Sequence, residues 1–251
     1  EKIELGTVSK YISAAICLLI FIFVFCIPFI QLILWHFDNS DFELFEHLKL
    51  LLNSVTIGIF VALLTVFFAI SLALSYKKTR YLKPMISIST SGYAIPGSVI
   101  SAGLLISFDL IFNTAITLYG ILGLILCLSL RFMTPAFNYI SSSLANISKS
   151  SENALQTHPK NSYKAFINFY LPQIRPAILL GIMIVFIESI KEQPATLLLR
   201  PVGFDTLSTK VYNFTSEGQW VMASSPSLLL ILLSLIFVYL INKNIDLSKH
   251  N

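Results

Sequence analysis

The chain of 251 residues is too poor in charge for a soluble domain: 12% of its residues are charged and 55% are hydrophobic, whereas soluble domains carry about 25% charged residues. Its net charge of +4 comes from basic residues that stand singly or in one short cluster, not from a basic face interleaved with aromatic side chains. The composition therefore predicts a protein embedded in lipid and excludes a nucleic-acid-binding protein.

Six segments are long and apolar enough to cross a bilayer as helices, which takes about 20 residues each. Because these runs lack the period-two alternation of strands, we expect an all-α, polytopic membrane fold. In chain order the predicted spans are 11–35, 50–76, 84–112, 114–139, 176–199 and 227–241, the last beginning a few residues earlier to reach full length.

The third predicted span is punctuated by small residues and a proline, among them Gly92, Pro96, Gly97 and Gly103. Two interpretations stay open for it. The glycines and Pro96 break the helix for a gate, as in transporters. Alternatively, small residues let helices pack closely, and the candidates are Gly92, Ser98, Ala102 and Gly103.

The lysines and arginines assign the sides of the membrane, because cytoplasmic loops carry an excess of them. Residues 76–83 hold four bases and no acid, and the long loop at about 141–175 holds four bases against Glu152. By contrast, residues 36–47 hold four acids and no lysine or arginine. We expect one transmembrane domain over 1–251, with both termini in the cytoplasm and a long extracytoplasmic loop at about 200–226.

Several ionisable residues fall within or near the predicted spans, where each needs a partner or a water-lined path. Glu188 and Glu192, four residues apart beside Lys191, either line the outer mouth of a cation path as hard oxygen ligands or fix span five through an ion-pair network. Arg131 is expected to lie toward the inner end of span four and to extend to the headgroups.

Two further residues are candidates for the same path. Asp109 either joins these carboxylates or is an ordinary acid at a helix end. Tyr93 is either a phenolate ligand or an interior tyrosine bonded to a neighbour. No firm metal site follows from the sequence, because the four histidines lie in predicted loops or at the end of the chain and the three cysteines lie in apolar runs.

No G-x-x-x-x-G-K-[ST] phosphate cradle and no catalytic constellation occurs in the sequence, so we expect neither an enzyme nor a bound ATP. The loop before span five predicts two short helices with a sharp turn at Pro159, which cannot continue a helix. Such an exposed element suits docking into a groove on a soluble partner. An amphipathic connector lying on the membrane is the alternative.

This loop resembles the coupling loop of ABC importer permeases, which reads Glu-Ala-Ala, three residues, Gly, and later a hydrophobic residue before Leu-Pro. Counting back from Leu171-Pro172 places Asn153 at the glutamate position and Pro159 at the glycine position; counting from Glu152 places His158 there. In either register the glycine is absent. The residues that the resemblance assigns to the coupling loop are Glu152, Asn153, Ala154, Leu155, Pro159, Leu171 and Pro172.

Two longer stretches resemble the ferric-iron (Fe³⁺) permeases of that group. One is GYAIPGSV at 92–99, and the other is KEQPATLLLRP at 191–201 followed by GFDTLSTKVY at 203–212. Leu130-Arg131-Phe132 fits the same family's fourth helix. The resemblance covers about 50–240 and is closest to the second six-helix module of a fused permease, with the type I ABC importer permease (MetI-like) fold.

The resemblance implies an Fe³⁺ permease in the bacterial inner membrane, surrounded by lipid. It implies three protein partners: a cytoplasmic ABC ATPase dimer that binds the ATP and magnesium, a periplasmic substrate-binding protein, and a second permease module. This chain would hold no cofactor. Alternatives are an ABC permease for thiamine, a polyamine or an oxyanion, a secondary transporter or channel, and a structural membrane subunit.

Overall fold

The computed structural model describes residues 6–39, 43–78, 81, 83–112, 120–148 and 166–249. Every regular element within those residues is helical. The coupling-loop residues Glu152, Asn153, Ala154, Leu155 and Pro159 lie outside the described part of the chain.

Eleven α-helices follow one another in the described residues, and three short non-α turns accompany them. The α-helices are α1 (Thr7–Phe21), α2 (Ile27–Asp38), α3 (Leu44–Lys78), α4 (Lys83–Ser89), α5 (Gly97–Phe112), α6 (Gly120–Arg131), α7 (Met133–Ala145), α8 (Leu171–Lys191), α9 (Pro194–Leu199), α10 (Leu207–Ser216) and α11 (Trp220–Lys249). Two π-helical turns, Ile22–Cys26 and Phe166–Tyr170, join α1 to α2 and precede α8, and a 3₁₀ turn, Ser91–Ala94, precedes α5.

The prediction of about six spans is confirmed, with the described helices giving four plain spans and two bent ones. The plain spans are Thr7–Asp38, Leu44–Lys77, Phe166–Lys191 and Trp220–Lys243. The bent spans are Pro84–Ala94 with Gly97–Ile111, at 111°, and Gly120–Arg131 with Met133–Ala145, at 47°. The chain is a multi-pass membrane protein.

The fifth span lies elsewhere than the sequence predicted. It ends at Lys191 instead of 199, and Pro176 lies inside the helix instead of at its start. The reason is Pro194, which disfavours helix at the residue before it and opens the separate helix α9. Helices also enter both predicted long loops: α7 and α8 occupy the two ends of 141–175, and α10 lies within 200–226.

The centre of the bundle is a packed seam of small and branched residues where α3, α7 and α8 meet. A Cβ added to Gly181 would lie 3.5 Å from Val66 Cγ2 and 3.8 Å from the Cα of Ala136, which is ordinary van der Waals contact. Val66 and Ala136 are buried. We call Val66, Ala136 and Gly181 the apolar seam. By contrast, α1 buries no residue.

Candidate functional site

Three helix interruptions meet at one place, and two of them occur at a proline. Pro96 follows the 3₁₀ turn and stands just before α5, and Gln193-Pro194 separates α8 from α9. The third interruption is the bend between α6 and α7 after Arg131. An interrupted helix leaves backbone groups that must find other partners inside lipid.

Arg131 ties the three interruptions together. Its Nη1 donates a hydrogen bond to the backbone oxygen of Ile95 at 2.7 Å, and its Nε lies 3.4 Å from Glu192 Oε2. The Arg131 and Glu192 side chains are 20% and 10% exposed. We call Ile95, Gly97, Arg131 and Glu192 the junction.

Gly97 completes the junction because a side chain there would occupy the space of the ion pair. A Cβ at this position would collide with Glu192 Oε1 and would lie 3.3 Å from Arg131 Nη1. A similar close approach occurs at Gly92, whose added Cβ would lie 2.5 Å from the backbone oxygen of Leu130. The helix of span three is broken, as the first interpretation requires, and its use as a gate stays a prediction. Gly92 permits the close packing of the second interpretation, whereas no described atom lies within 4 Å of a Cβ added to Gly103.

The backbone carbonyl of Glu192, freed by the end of α8, accepts two side-chain hydrogen bonds. Thr196 Oγ1 on α9 donates at 2.6 Å and Ser208 Oγ on α10 donates at 3.3 Å. The carboxylate of Glu192 thus contacts Arg131 on α6, while its carbonyl binds α9 and α10. One residue connects four helices, since it also ends α8.

Charges at this depth are costly, about 2.5 to 3.5 kcal/mol each on insertion scales, which is why they are paired. The prediction that Arg131 lies toward the inner end of its span is wrong, because α7 continues the span from Met133 to Ala145 and the guanidinium turns inward to Glu192. Arg131 itself was the sequence signal for this pair, because an ionisable residue within a span needs a partner.

The structure separates the two carboxylates that the sequence placed on one helix face. Glu188 is in the last turn of α8 and binds Lys191, with Oε1 2.9 Å from Nζ. Glu192 follows the end of the helix in an extended conformation and binds Arg131. Each carboxylate therefore has its own cation partner, and no cluster of three potential metal ligands occurs among the described residues.

Asp109 and Tyr93 stand apart from these pairs. Asp109 is an exposed residue of α5, and at 1.5 Å per residue it lies about 18 Å along that helix from Gly97. Tyr93 is 52% exposed, and its ring centroid lies 6.4 Å from that of Phe132. Leu171 and Pro172 form the first turn of α8.

A cap segment, residues 200–216, contacts the junction through Ser208 and contains the GFDTLSTKVY stretch at 203–212. Arg200 forms an ion pair with Asp205, and burial lowers the pKa of the Arg200 guanidinium from its ordinary value. Thr206 caps α10 in a capping box with Thr209. The backbone N–H of Leu207 donates to Ser54 Oγ on α3 at 2.8 Å.

Two further contacts join the cap segment to α3. Lys210 Nζ lies 2.7 Å from Glu46 Oε1, and Asn53 Nδ2 donates to the backbone oxygen of Asp205 at 2.8 Å. The stretch that carried the sequence resemblance therefore has a structural role in this chain: it caps a helix and fastens it to the start of α3.

Comparison with known proteins identifies relatives of this chain. The chain is 32% identical over 231 residues to the Fe(3+)-transport system permease protein FbpB 2 of Haemophilus influenzae, covering 89% of this chain and 45% of that protein. It is 34% identical over 124 residues to the ferric transport system permease protein FbpB of Actinobacillus pleuropneumoniae, covering 48% of this chain and 18% of that one. The chain thus spans less than half the length of the curated relatives it matches there.

A solved structure shares the fold. The bacterial alginate ABC transporter, in complex with an alginate-pentasaccharide-bound periplasmic protein, contains a chain that superposes with a TM-score of 0.72. The match covers 93% of this chain and 92% of that one at 16% identity, so it shows the fold alone. No protein-family profile matches this chain. The homologues are transport permeases and not enzymes.

Proposed function

We propose that this chain, a homologue of ferric-transport permeases with the fold of ABC transporter permeases, is a permease module that passes Fe³⁺ across the bacterial inner membrane. The homology over 89% of the chain to a ferric-transport permease carries the choice of cargo. The module works beside a second six-helix module, fused or separate, and its two termini lie in the cytoplasm.

Energy comes from outside the chain. A cytoplasmic ABC ATPase dimer binds ATP and magnesium and docks on the segment that contains Glu152, Asn153, Ala154, Leu155 and Pro159. A periplasmic binding protein delivers Fe³⁺ to the cap segment, residues 200–216. This chain itself holds no cofactor. The resemblance of the loop at 141–175 to the coupling loop of ABC permeases supports the ATPase partner.

Helix α8 gives the ATPase a direct connection to the junction. It begins at Leu171-Pro172, after the proposed docking segment and the π-helical turn Phe166–Tyr170, and runs to Lys191, one residue before Glu192. Its 21 residues make a rod about 31 Å long. Because packed helices move as rigid bodies, closure of the ATPase displaces the far end of α8 and with it the junction.

The test is an ATPase assay on the full-length permease, co-expressed with its neighbouring ATPase and binding protein. We expect stimulation by the ferric-loaded binding protein and none by the unloaded one. Stimulation only by a binding protein loaded with thiamine, a polyamine or an oxyanion would support an ABC importer that carries that substrate instead of Fe³⁺. A second test is deletion of 151–164, which should abolish co-purification of the ATPase.

Two results would contradict the proposal. Recovery of the ATPase at one-to-one ratio after that deletion would remove the docking segment from the mechanism. Uptake that survives ATP depletion and collapses with the proton gradient would identify a secondary transporter.

A further inference from the structure

The two ion pairs at the end of α8 differ in exposure. Arg131 and Glu192 are largely buried, whereas the Glu188 and Lys191 side chains are 34% and 45% exposed. Both members of the second pair thus present a substantial part of their charged surface to whatever surrounds this face of the chain.

The exposed pair lies within the apolar depth of the bundle. A Cβ added to Gly58 on α3 would lie 2.9 Å from Ile190 Cγ2, so Gly58 and Ile190 are at the same level. Gly58 comes nine residues after Lys49, and no ionisable residue follows Lys49 on α3 until Tyr76. At 1.5 Å per residue the level of Ile190 is about 13 Å below that lysine, and Lys191 is the next residue.

Lys191 does not escape this depth by extending along the helix to the headgroups, as lysines near span ends commonly do. Its Nζ turns back toward Glu188, one helical turn earlier in α8. An exposed carboxylate and an exposed ammonium at such a depth cannot contact hydrocarbon without a large cost, and ionisable residues within spans face a water-filled cavity or the bundle interior.

The exposed surface of α6 has a different character. Leu122, Leu126 and Leu130 recur every four residues on α6 and form an exposed, wholly apolar stripe. Leu130 adjoins Arg131 and therefore lies at the depth of the junction, with a fractional exposure of 48%. Leu130 is about as exposed as Lys191 but is apolar, so it serves as the matched control position for thiol labelling.

We propose that the Glu188–Lys191 pair faces the aqueous translocation path and is its charged lining at this depth, while the more buried Arg131 and Glu192 lie behind it. This rests on the proposed function, since the path is that of the permease. The lining presents one negative and one positive group to the passing cargo, so both charges take part in selecting it.

Accessibility to a charged, membrane-impermeant thiol reagent tests the proposal in the full-length permease, assembled with its ATPase and binding protein in membranes. The native Cys17, Cys26 and Cys127 are replaced, and single cysteines are introduced by Glu188→Cys, Lys191→Cys or Leu130→Cys. Because the thiolate is the reacting species and does not persist in hydrocarbon, we expect modification at 188 and 191 to be at least about tenfold faster than at 130.

Labelling of the native Lys191 amine by an impermeant acylating reagent, measured by peptide mass spectrometry, gives the same answer without any substitution at the pair. Rates at 188 and 191 no faster than at 130, both without nucleotide and with ATP, together with an unlabelled native Lys191, would overturn the proposal and place the pair in a dry interface. Fast labelling with no ferric stimulation of the ATPase would contradict the cargo assignment and leave the lining in place.

Discussion

The apolar seam and the junction lie in the same bundle but are stabilised by different interactions, apolar packing at the seam and polar contacts at the junction. At the seam, α3, α7 and α8 pass one another as continuous helices, and the space at Gly181 would accept a methyl group. At the junction, helices stop, and their ends are joined by one ion pair and by hydrogen bonds to freed backbone groups.

The difference indicates where helices can move relative to one another. Packed apolar contacts between continuous helices lose surface contact with any relative displacement, so α3, α7 and α8 move together at the seam as one rigid unit. Polar contacts between helix ends can be exchanged for others with little change in helix structure, as in hinge and switch regions generally. Breaking one contact at a time in each region tests this distinction.

The largest effect is expected from Arg131→Met. Removing one partner of a buried pair leaves the Glu192 carboxylate uncompensated, which costs about 3 to 5 kcal/mol. The measurement is the free energy of unfolding of the purified permease in detergent. The double variant with Glu192→Gln should be more stable than Arg131→Met alone; strictly additive losses would show that the two side chains do not act as a pair.

A smaller loss is expected from Gly92→Ala, at about 1 to 3 kcal/mol as for other overpacking changes. The new Cβ would press on the backbone oxygen of Leu130, which can yield only if α6 shifts. Gly181→Ala in the seam is the matched control, and should be neutral or stabilising because alanine favours helix. The measurement is the thermal unfolding midpoint of each variant. Equal decreases for the two variants would contradict the proposed difference between the seam and the junction.

The N-cap residue of α10, Thr206, should contribute less again to the free energy of unfolding. Thr206→Val removes the side-chain acceptor for the N–H of Thr209, and loss of an N-cap costs about 1 kcal/mol. We expect faster amide hydrogen exchange over 207–216 with exchange in the seam unchanged. Ser216→Ala at the last residue of α10 is the control, and a similar increase in exchange there would argue against the cap.

Lys210→Met should have the smallest effect. Glu46 is 45% exposed, so solvent and salt screen the pair and its contribution is below about 1 kcal/mol. The expected result is a small fall in the unfolding midpoint at low ionic strength that vanishes at high salt. A loss that persisted at high salt would mean that the contact of Lys210 Nζ with the Phe214 ring, 4.7 Å from its centroid, contributes more than the pair with Glu46.

Much of the fold follows from the sequence because apolar runs of about 20 residues leave few alternatives in lipid. The break in span three was visible in Pro96 and its neighbouring glycines. The position of span five was not, because the apolar run at 195–199 reads as a continuation of the helix although Pro194 begins a new one.

The junction could not be read from spacing. Arg131 and Glu192 are far apart in the chain, and the helical repeat that placed Glu188 and Glu192 on one face ends at Lys191. Span four was predicted to end at 139, which put Arg131 close to a membrane surface, whereas α7 continues to Ala145. Pairing between distant segments depends on tertiary packing, which no local pattern contains.

Glu192 also removes a degree of freedom from the molecule. Its carbonyl accepts a hydrogen bond from Ser208 of the cap segment while its carboxylate binds Arg131, so the cap segment and α6 have one residue in common. A force applied to α10 therefore acts on the same few atoms as a force transmitted along α8. Neither helix can be displaced at this point without changing the contacts that Glu192 makes with the other.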